Sequence, residues 1–456
     1  MGSYATCWIG GVSVTTSKND VDPAIMNLFR VEDRKVRTFG DPSVPTYLTD
    51  GFDDPDDDLE LTYYTAPVPT IRDRLELEGY TVENCRRLFE EWKALEIRQR
   101  ESWDTEDDSR PQSTDEQRIR KVIREGRSAE LKRLRELTVD SWIGYFRQIV
   151  EDHLTSTDAE AHSDSYLEEM LKWSSEGWYG YGGPDPLVAL RLAIEVFPIA
   201  DDVVYDLTDL VTSEYIAKDE DPIERLMNWS TGEIHSHGRV IILTEGRSDV
   251  ALLKPALDLL FPHLAGYFSF MDFAEYGGGA GQLVNLIRAF SAAGIVNRVV
   301  AIFDNDAAAL AALRTLRKTP LPKHIVAMRL PDLAVLSSYP TIGPSGPSLM
   351  NINGMAASIE LYLGADVLCG ETSELPAIQW TGYERSVGTY QGELPCKHDV
   401  QGRFLQKVAQ ARKDPVFRET ADWSGLQSIF FQLFKAFHEL DGRVLTEQLR
   451  YFYREN

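Results

Sequence analysis

The chain has 456 residues, 43% apolar and 26% charged, with a formal net charge of −25. That length gives roughly two to four domains. The composition is that of a soluble globular protein, and the acidic balance excludes a general nucleic-acid coat. No apolar run is long enough to span a bilayer and no secretory signal opens the chain, so a cytoplasmic protein with no membrane partner is expected. Cys7, Cys85, Cys369 and Cys396 are scattered without metal-like spacing, which fits reduced thiols.

In chain order, residues 1–100 read as an α+β domain. CWIGGVSVTT carries β-branched and aromatic residues around a Gly-Gly turn. Residues 50–60 are an acidic loop. Residues 71–98 are expected to form a helix, with apolar positions at Leu75, Leu77, Val82, Leu88, Phe89, Trp92 and Leu95. Residues 101–117, polar and charged, read as a linker. Residues 118–232 read as a helical domain, with helices over 118–153, 163–173, 186–197 and 203–215. The aromatic run GWYGYGGPDP within it is expected to be a packed connector.

From Arg239 the pattern becomes strand, helix, strand, helix: strands over 239–244, 267–272, 298–303 and 324–330, helices over 248–261, 279–293 and 306–317. This alternation marks a parallel, Rossmann-like sheet with helices on both faces, here assigned to residues 233–370. Beyond residue 331 the run YPTIGPSGPS reads as a long loop. Residues 371–456 read as a C-terminal helical extension, with helices over 398–413 and 425–450. The fold class is therefore multi-domain α/β and α.

Two of these strands deliver acids. RVIILTEGRSD places Glu245 directly after an apolar strand, with Gly246 behind it and Asp249 at the start of the next helix. RVVAIFDND places Asp304 and Asp306 at the end of another strand, where i and i+2 share a face. Carboxylates at the ends of neighbouring parallel strands are what a Mg²⁺ site needs, because this ion prefers a few carboxylates and keeps waters for phosphate oxygens. Residues 286–330 add Arg288, Arg298, Arg314, Arg317, Lys318, Lys323 and Arg329 against only Asp304 and Asp306, a basic rim suited to a polyanion.

TEGRSD and FDNDAA on alternating β/α elements resemble a Toprim domain, the fold shared by primases, topoisomerases and nucleases of the overcoming-lysogenization-defect (OLD) family. The resemblance implies Mg²⁺ or Mn²⁺ at Glu245, Asp304 and Asp306. With Asp249 and Glu360 of ASIELYLG, it implies a second ion, as in the OLD-type enzymes. It also implies a supporting or substrate-binding role for Ser358 and a catalytic lysine downstream. Lys397 is the choice, with Lys407 and Lys413 as alternatives. Arg288, Arg314 and Lys323 are taken as substrate-binding. MGSYATCWIGG and VDPAIMNLFR resemble the N-terminal domain of HEPN/Toprim-associated prokaryotic proteins, and GWYGYGGPDP and YPTIGPSGPS belong with them. The whole then implies a metal-dependent nuclease in antiviral defence, acting on DNA in preference to RNA or tRNA.

OLD-family proteins carry an ATPase, but no GxxxxGK[ST] occurs here, so NTP dependence would need a partner subunit such as an ATPase or sensor. The glycines at 277–281 are expected to form a flexible turn. A homo-oligomer is the default expectation. Two alternatives stand beside the nuclease. One is a metal-independent HEPN-type ribonuclease using Arg147 and His153, spaced as a helical pair. The other is a non-catalytic sensor that binds nucleic acid or a partner.

Overall fold

The computed structural model describes residues 2–49, 59–103, 114–162, 165–174, 178–223, 239–271, 278–295, 297–318, 320–370 and 374–438. Most of the expected 101–117 linker and of the 50–60 acidic loop, and the end of the expected 425–450 helix, lie outside these residues.

The chain divides into two compact units, built from Met1–Gly232 and Glu233–Phe437. The first is organised on an antiparallel sheet of five strands: β1 (Tyr4–Ile9), β2 (Val12–Lys18), β3 (Arg34–Thr38), β4 (Glu60–Pro67) and β5 (Asp202–Asp206), in the order β2-β1-β5-β4-β3. The expected α+β domain (1–100) and helical domain (118–232) therefore merge, because β5 comes from the second and lies between β1 and β4 of the first. Tyr205 faces Cys7 on one side and Tyr64 on the other. Residues 203–215, expected to be helical, are this strand followed by the short helix Thr208–Thr212. Val203, Val204 and Tyr205 are all buried, so the β-branched run completes a sheet covered on both faces.

The expected helix over 71–98 is two helices, Val68–Leu77 and Val82–Trp103. The 118–153 stretch is likewise broken into Thr114–Glu136 and Val139–Glu151. There Thr138 Oγ1 accepts the Ser141 amide and starts the second helix. The aromatic run packs as expected. Tyr179 and Tyr181 are buried, and Trp142 Nε1 donates to the Tyr179 carbonyl at 3.1 Å.

The second unit holds a parallel sheet of β6 (Val240–Thr244), β7 (Phe268–Phe270), β8 (Val299–Phe303) and β10 (Ile325–Arg329), in the order β10-β8-β6-β7. The helices Arg247–Leu260, Ala280–Ala292 and Ala307–Leu316 alternate with the strands. Leu243, Val299, Ala301 and Phe303 pack under the last two helices. Ile242, Val300 and Ile302, pointing the other way, are also buried, so both faces of the sheet are covered.

A two-stranded pairing of β9 (Asn305–Asp306) with β13 (Ala356–Ala357) follows β8. A separate sheet contains β11 (Tyr339–Gly343), β12 (Gly346–Met350), β14 (Ile378–Glu384) and β15 (Thr389–Glu393), in the order β12-β11-β14-β15. The expected loop at YPTIGPSGPS is thus an antiparallel hairpin turning at Pro344-Ser345. The expected helical extension opens with a second hairpin before its helices Lys397–Ala411, Pro415–Thr420 and Ser424–Phe434. Among the described residues no helix is long and apolar enough to cross a membrane.

Tyr205 is fully buried, and its hydroxyl accepts the Asp22 amide at 2.7 Å and lies 2.9 Å from Ser17 Oγ. Tyr205→Ala removes an aromatic side chain and two hydrogen bonds from the central strand. It is expected to cost about 3–5 kcal/mol in urea unfolding, and a loss under about 1 kcal/mol would contradict this placement.

Candidate active site

β6 and β8 are paired neighbours, with Thr244 opposite Ile302. Glu245, one residue beyond Thr244, and Asp304, two beyond Ile302, therefore leave adjacent parallel strands at the same, C-terminal, edge. The Asp304 amide donates to Glu245 Oε1 at 2.9 Å, joining the two strand ends. The Glu245 backbone is held from the other side, where the Gly279 amide donates to its carbonyl at 2.8 Å. A Cβ on Gly278 would come within 2.9 Å of that same oxygen, and Gly279 has a φ of 110°. Both positions require glycine, one for close approach and one for backbone angle. The expected flexible turn is thus, over Gly278 and Gly279, a fitted backbone clamp. Gly277 lies outside the described residues.

The chain leaves the parallel sheet at Asp304. β9 turns to pair with β13, Asn305 opposite Ala357 and Asp306 opposite Ala356. Pairing with β13 carries Ser358 and Glu360 into place. The Ile359 amide donates to Asp304 Oδ1 at 3.1 Å. Glu360 is buried. Its Oε2 accepts Ser358 Oγ at 2.6 Å, its Oε1 accepts Gln401 Nε2 at 2.7 Å, and Lys397 Nζ stands 3.6 Å away. Ser358 thus supports Glu360 directly.

Asp249 and Asp306 also do structural work. Asp249 Oδ2 accepts the Gly246 amide at 3.0 Å, and Asp306 Oδ1 accepts the Ala309 amide at 2.7 Å as the cap of the helix Ala307–Leu316. Each carboxylate near this edge is held by at least one hydrogen bond, which fixes its orientation.

Together these acids strain one another electrostatically. Burial, with further repulsion from Asp306 and Asp249, pushes Glu245 up to about 7. Burial and the nearby Glu360 push Asp249 up to about 6. Asp304 rises well above the usual carboxylate range through burial and the charges of Asp249, Glu245 and Asp306. Burial also raises Asp306. Lys397 opposes the shift at all four. The sequence-expected residues Glu245, Asp249, Asp304, Asp306, Glu360, Ser358 and Lys397 are therefore brought together.

The alternative Lys407 is not placed there. It is buried, and its Nζ donates to the Leu363 and Asp422 carbonyls and to Asp366 Oδ1, with the Trp423 ring 4.3 Å from it. It fastens the helix Lys397–Ala411 to the chain around Leu363.

The basic rim divides. Arg298 is buried, with its guanidinium 5.6 Å from the centre of the Phe437 ring. Arg329 donates to Asn305 Oδ1 and Asp332. Arg314 is exposed on the helix Ala307–Leu316. Arg288, half-buried, lies about 12 Å along the helix Ala280–Ala292 from its start beside Glu245. Lys323 lies two residues before β10, at the N-terminal edge of the sheet and so at the opposite end from the acids. It is not placed to bind a substrate at this site. Arg147 and His153 do not form a helical pair, because the helix Val139–Glu151 ends before His153, which has a φ of 52°.

Two residues carry no recognisable sequence signal and matter nonetheless. Gln401 orients Glu360. Asn305, fully buried between the two aspartates, has the Tyr362 hydroxyl, Asn353, Asp332 and the Pro331 carbonyl within hydrogen-bonding reach of its two Nδ2 protons, and accepts from Arg329 and the Gly354 amide through Oδ1. An amide side chain surrounded by donors and acceptors fixes the chain between Asp304 and Asp306.

The donor set fits a hard divalent cation by oxygen type and by accumulated charge. Among the described residues, however, no three His, Cys, Asp or Glu side chains already form a metal-holding group. The carboxylate oxygens are spent partly on backbone amides, Ser358 and Gln401.

Residues 1–226 match the family model HEPN/Toprim N-terminal domain 1. The match supports a HEPN/Toprim-associated protein with a nuclease-related function. It runs without interruption through the region expected to be two domains and a linker. No curated protein matches the chain, and no solved structure matches it.

Raised carboxyl pKa values favour folding while the groups are protonated. That stability is fully present below the unfolded values and is lost as pH rises through about 6 for Asp249 and about 7 for Glu245. In the absence of divalent ions, the melting temperature is expected to fall between about pH 5 and about pH 8, and to fall less in Glu245→Gln. Parallel profiles for the two proteins would show that Glu245 is not under this repulsion.

Proposed function

We propose that the Glu233–Phe437 unit is a Toprim-type nuclease of OLD-like character. It hydrolyses phosphodiester bonds with Mg²⁺ or Mn²⁺, on DNA in preference to RNA, in defence against phage. The observation that carries this reading is the acidic cluster at the C-terminal edge of β6 and β8, with Glu245 and Asp304 tied by a hydrogen bond and both raised in pKa by burial and neighbouring carboxylates. Ligands in open parallel sheets bind at that edge. Groups with strongly perturbed pKa values in one cleft are candidates for chemistry.

Glu245, Asp304 and Asp306 would hold one ion, and Asp249 and Glu360 a second. Bound divalent cations supply an acidified water and neutralise charge on phosphate oxygens. The chain supplies the rest. Glu245, near neutral in pKa without an ion, is held in orientation by the Asp304 amide. Lys397 brings an ammonium beside Glu360 and the other acids, where charge building on a phosphate would be stabilised. Asn305 and Gln401 hold the acids in place without touching substrate. The defensive role and any ATPase or sensor partner rest on the Toprim and HEPN/Toprim resemblance.

One observation favours the non-catalytic sensor as a second reading, namely that no three-ligand group stands assembled among the described residues. Plasmid, single-stranded DNA and total tRNA, each incubated with and without Mg²⁺ or Mn²⁺, separate the two. Cleavage is expected only with the ion and is abolished in folded Glu245→Ala and Asp304→Ala, while Lys397→Ala lowers kcat by roughly 10²–10³. Ion binding without cleavage of any substrate would favour the sensor, and unchanged cleavage in both acid variants would reject the site.

A further inference from the structure

A groove of about 820 Å³ opens between the helices Ala280–Ala292 and Ala307–Leu316. Its head abuts the acidic cluster on two sides. Gly278 and Gly279 line one wall, and the Gly279 amide holds the Glu245 carbonyl at 2.8 Å. Ala308 lines the other wall, and the next amide, that of Ala309, is the one Asp306 Oδ1 accepts. Both helices start at the edge of the sheet where the acids stand, so the groove leads away from them.

The charge along it is mainly positive. Arg314 lies six residues beyond Ala308, about 9 Å along the helix, and Lys318 follows just past the helix end. Both line the groove and both are exposed. The Lys318 ammonium has no partner among the described residues. Arg314 gives one guanidinium proton to the Ser386 carbonyl, at 2.6 Å, and retains further donors. The lining holds one acid against these two cations, Glu384, whose Oε1 accepts the Ser386 amide at 2.9 Å. Gln282, Asn285 and Thr315 add neutral hydrogen-bonding groups, and no aromatic side chain lines the groove. A net positive lining runs against the trend of a chain with net charge −25. A second groove of the same unit, of about 530 Å³, has the opposite balance, with Arg418 against Glu419 and Asp422. Of these two, the groove that favours an anion is the one that reaches the acids.

We propose that this groove holds the sugar–phosphate backbone of a nucleic-acid strand and leads it to the acidic cluster, with Arg314 and Lys318 on its phosphates. The inference rests on the nuclease reading of that cluster. It adds the surface that positions the substrate and the part of the substrate that is held. Gln282, Asn285 and Thr315 meet phosphate or sugar oxygens. With no ring to stack on, the bases add little, and the strand is held irrespective of its sequence. An acidic chain repels a polyanion at long range, and a local cationic track opposes that repulsion where the strand must arrive. Phosphate contacts also fix register, which a cutting site needs.

Fluorescence anisotropy of the full chain in EDTA, over a salt series, measures binding without cleavage. The probes are labelled oligo(dT), oligo(rU) and an abasic deoxyribose strand of equal length. The abasic strand is expected to bind within about threefold of oligo(dT), and inorganic polyphosphate is expected to displace both. Lys318→Ala and Arg314→Ala are each expected to weaken binding and to lower the slope of log affinity against log salt by about 0.7. Glu384→Gln keeps an acceptor for the Ser386 amide and removes the charge, and is expected to tighten binding. These responses with either sugar support the proposal, and the tighter-bound homopolymer names the strand. Lys318→Ala removes no contact among the described residues, so a loss there is not a loss of fold. No binding by the unaltered chain, unchanged affinity and slope in Lys318→Ala, or failure to bind the abasic strand would overturn the proposal. Such a result leaves metal-dependent cleavage at Glu245 and Asp304 to its own test. A chain that binds in this way yet cleaves nothing loses the nuclease reading alone.

Discussion

The hydrogen bond from the Asp304 amide to Glu245 Oε1 is the constraint on which the proposed site depends. It requires β6 and β8 to be neighbours, parallel and in one register, which the buried pairing of Thr244 with Ile302 provides. It also needs the Glu245 backbone to stay fixed, which the Gly278-Gly279 clamp secures from the far side. Once these hold, the acids of the cluster collect at one sheet edge. Their mutual repulsion is a cost the fold bears in the absence of a counter-charge beyond Lys397. Buried like charges persist in proteins when the surroundings over-determine them and when a ligand relieves them.

Much of what surrounds this bond serves to hold it. Asn305 fixes the chain after Asp304 through contacts with residues 331–332, 353–354 and Tyr362. The β9–β13 pairing delivers Ser358 and Glu360 beside Asp304. The helix Lys397–Ala411 arrives from much later in the chain, fastened by Lys407, and presents Lys397 and Gln401 on the side of Glu360. A site assembled from segments this distant in sequence is rigid only because each segment is hydrogen-bonded to the next.

The parallel sheet was legible in the sequence because each of its strands is a short apolar run flanked by helical spacing, and long-range context does not alter that pattern. Glu245, Asp249, Asp304 and Asp306 were legible for the same reason, as acids at the ends of such runs. β5 was not. Val203-Val204-Tyr205 is followed by Leu207, Leu210 and Val211, a spacing that also suits a helix, and what decides the matter is pairing with β1 and β4, remote in the chain. The β11–β12 and β14–β15 hairpins were hidden by proline, glycine and polar residues, whose strand character comes from their partners. Asn305 and Gln401 act through contacts alone, and to the choice of Lys397 over Lys407 the structure adds that Lys407 is buried and occupied with carbonyl groups.

The most direct measurement is anomalous diffraction at the manganese edge from crystals of the full chain soaked in Mn²⁺. A peak coordinated by both Glu245 and Asp304 carboxylates is expected, and it should vanish in Glu245→Gln. A fully soaked crystal with manganese elsewhere and none between these two residues would contradict the assignment of the strand-end acids to a metal centre.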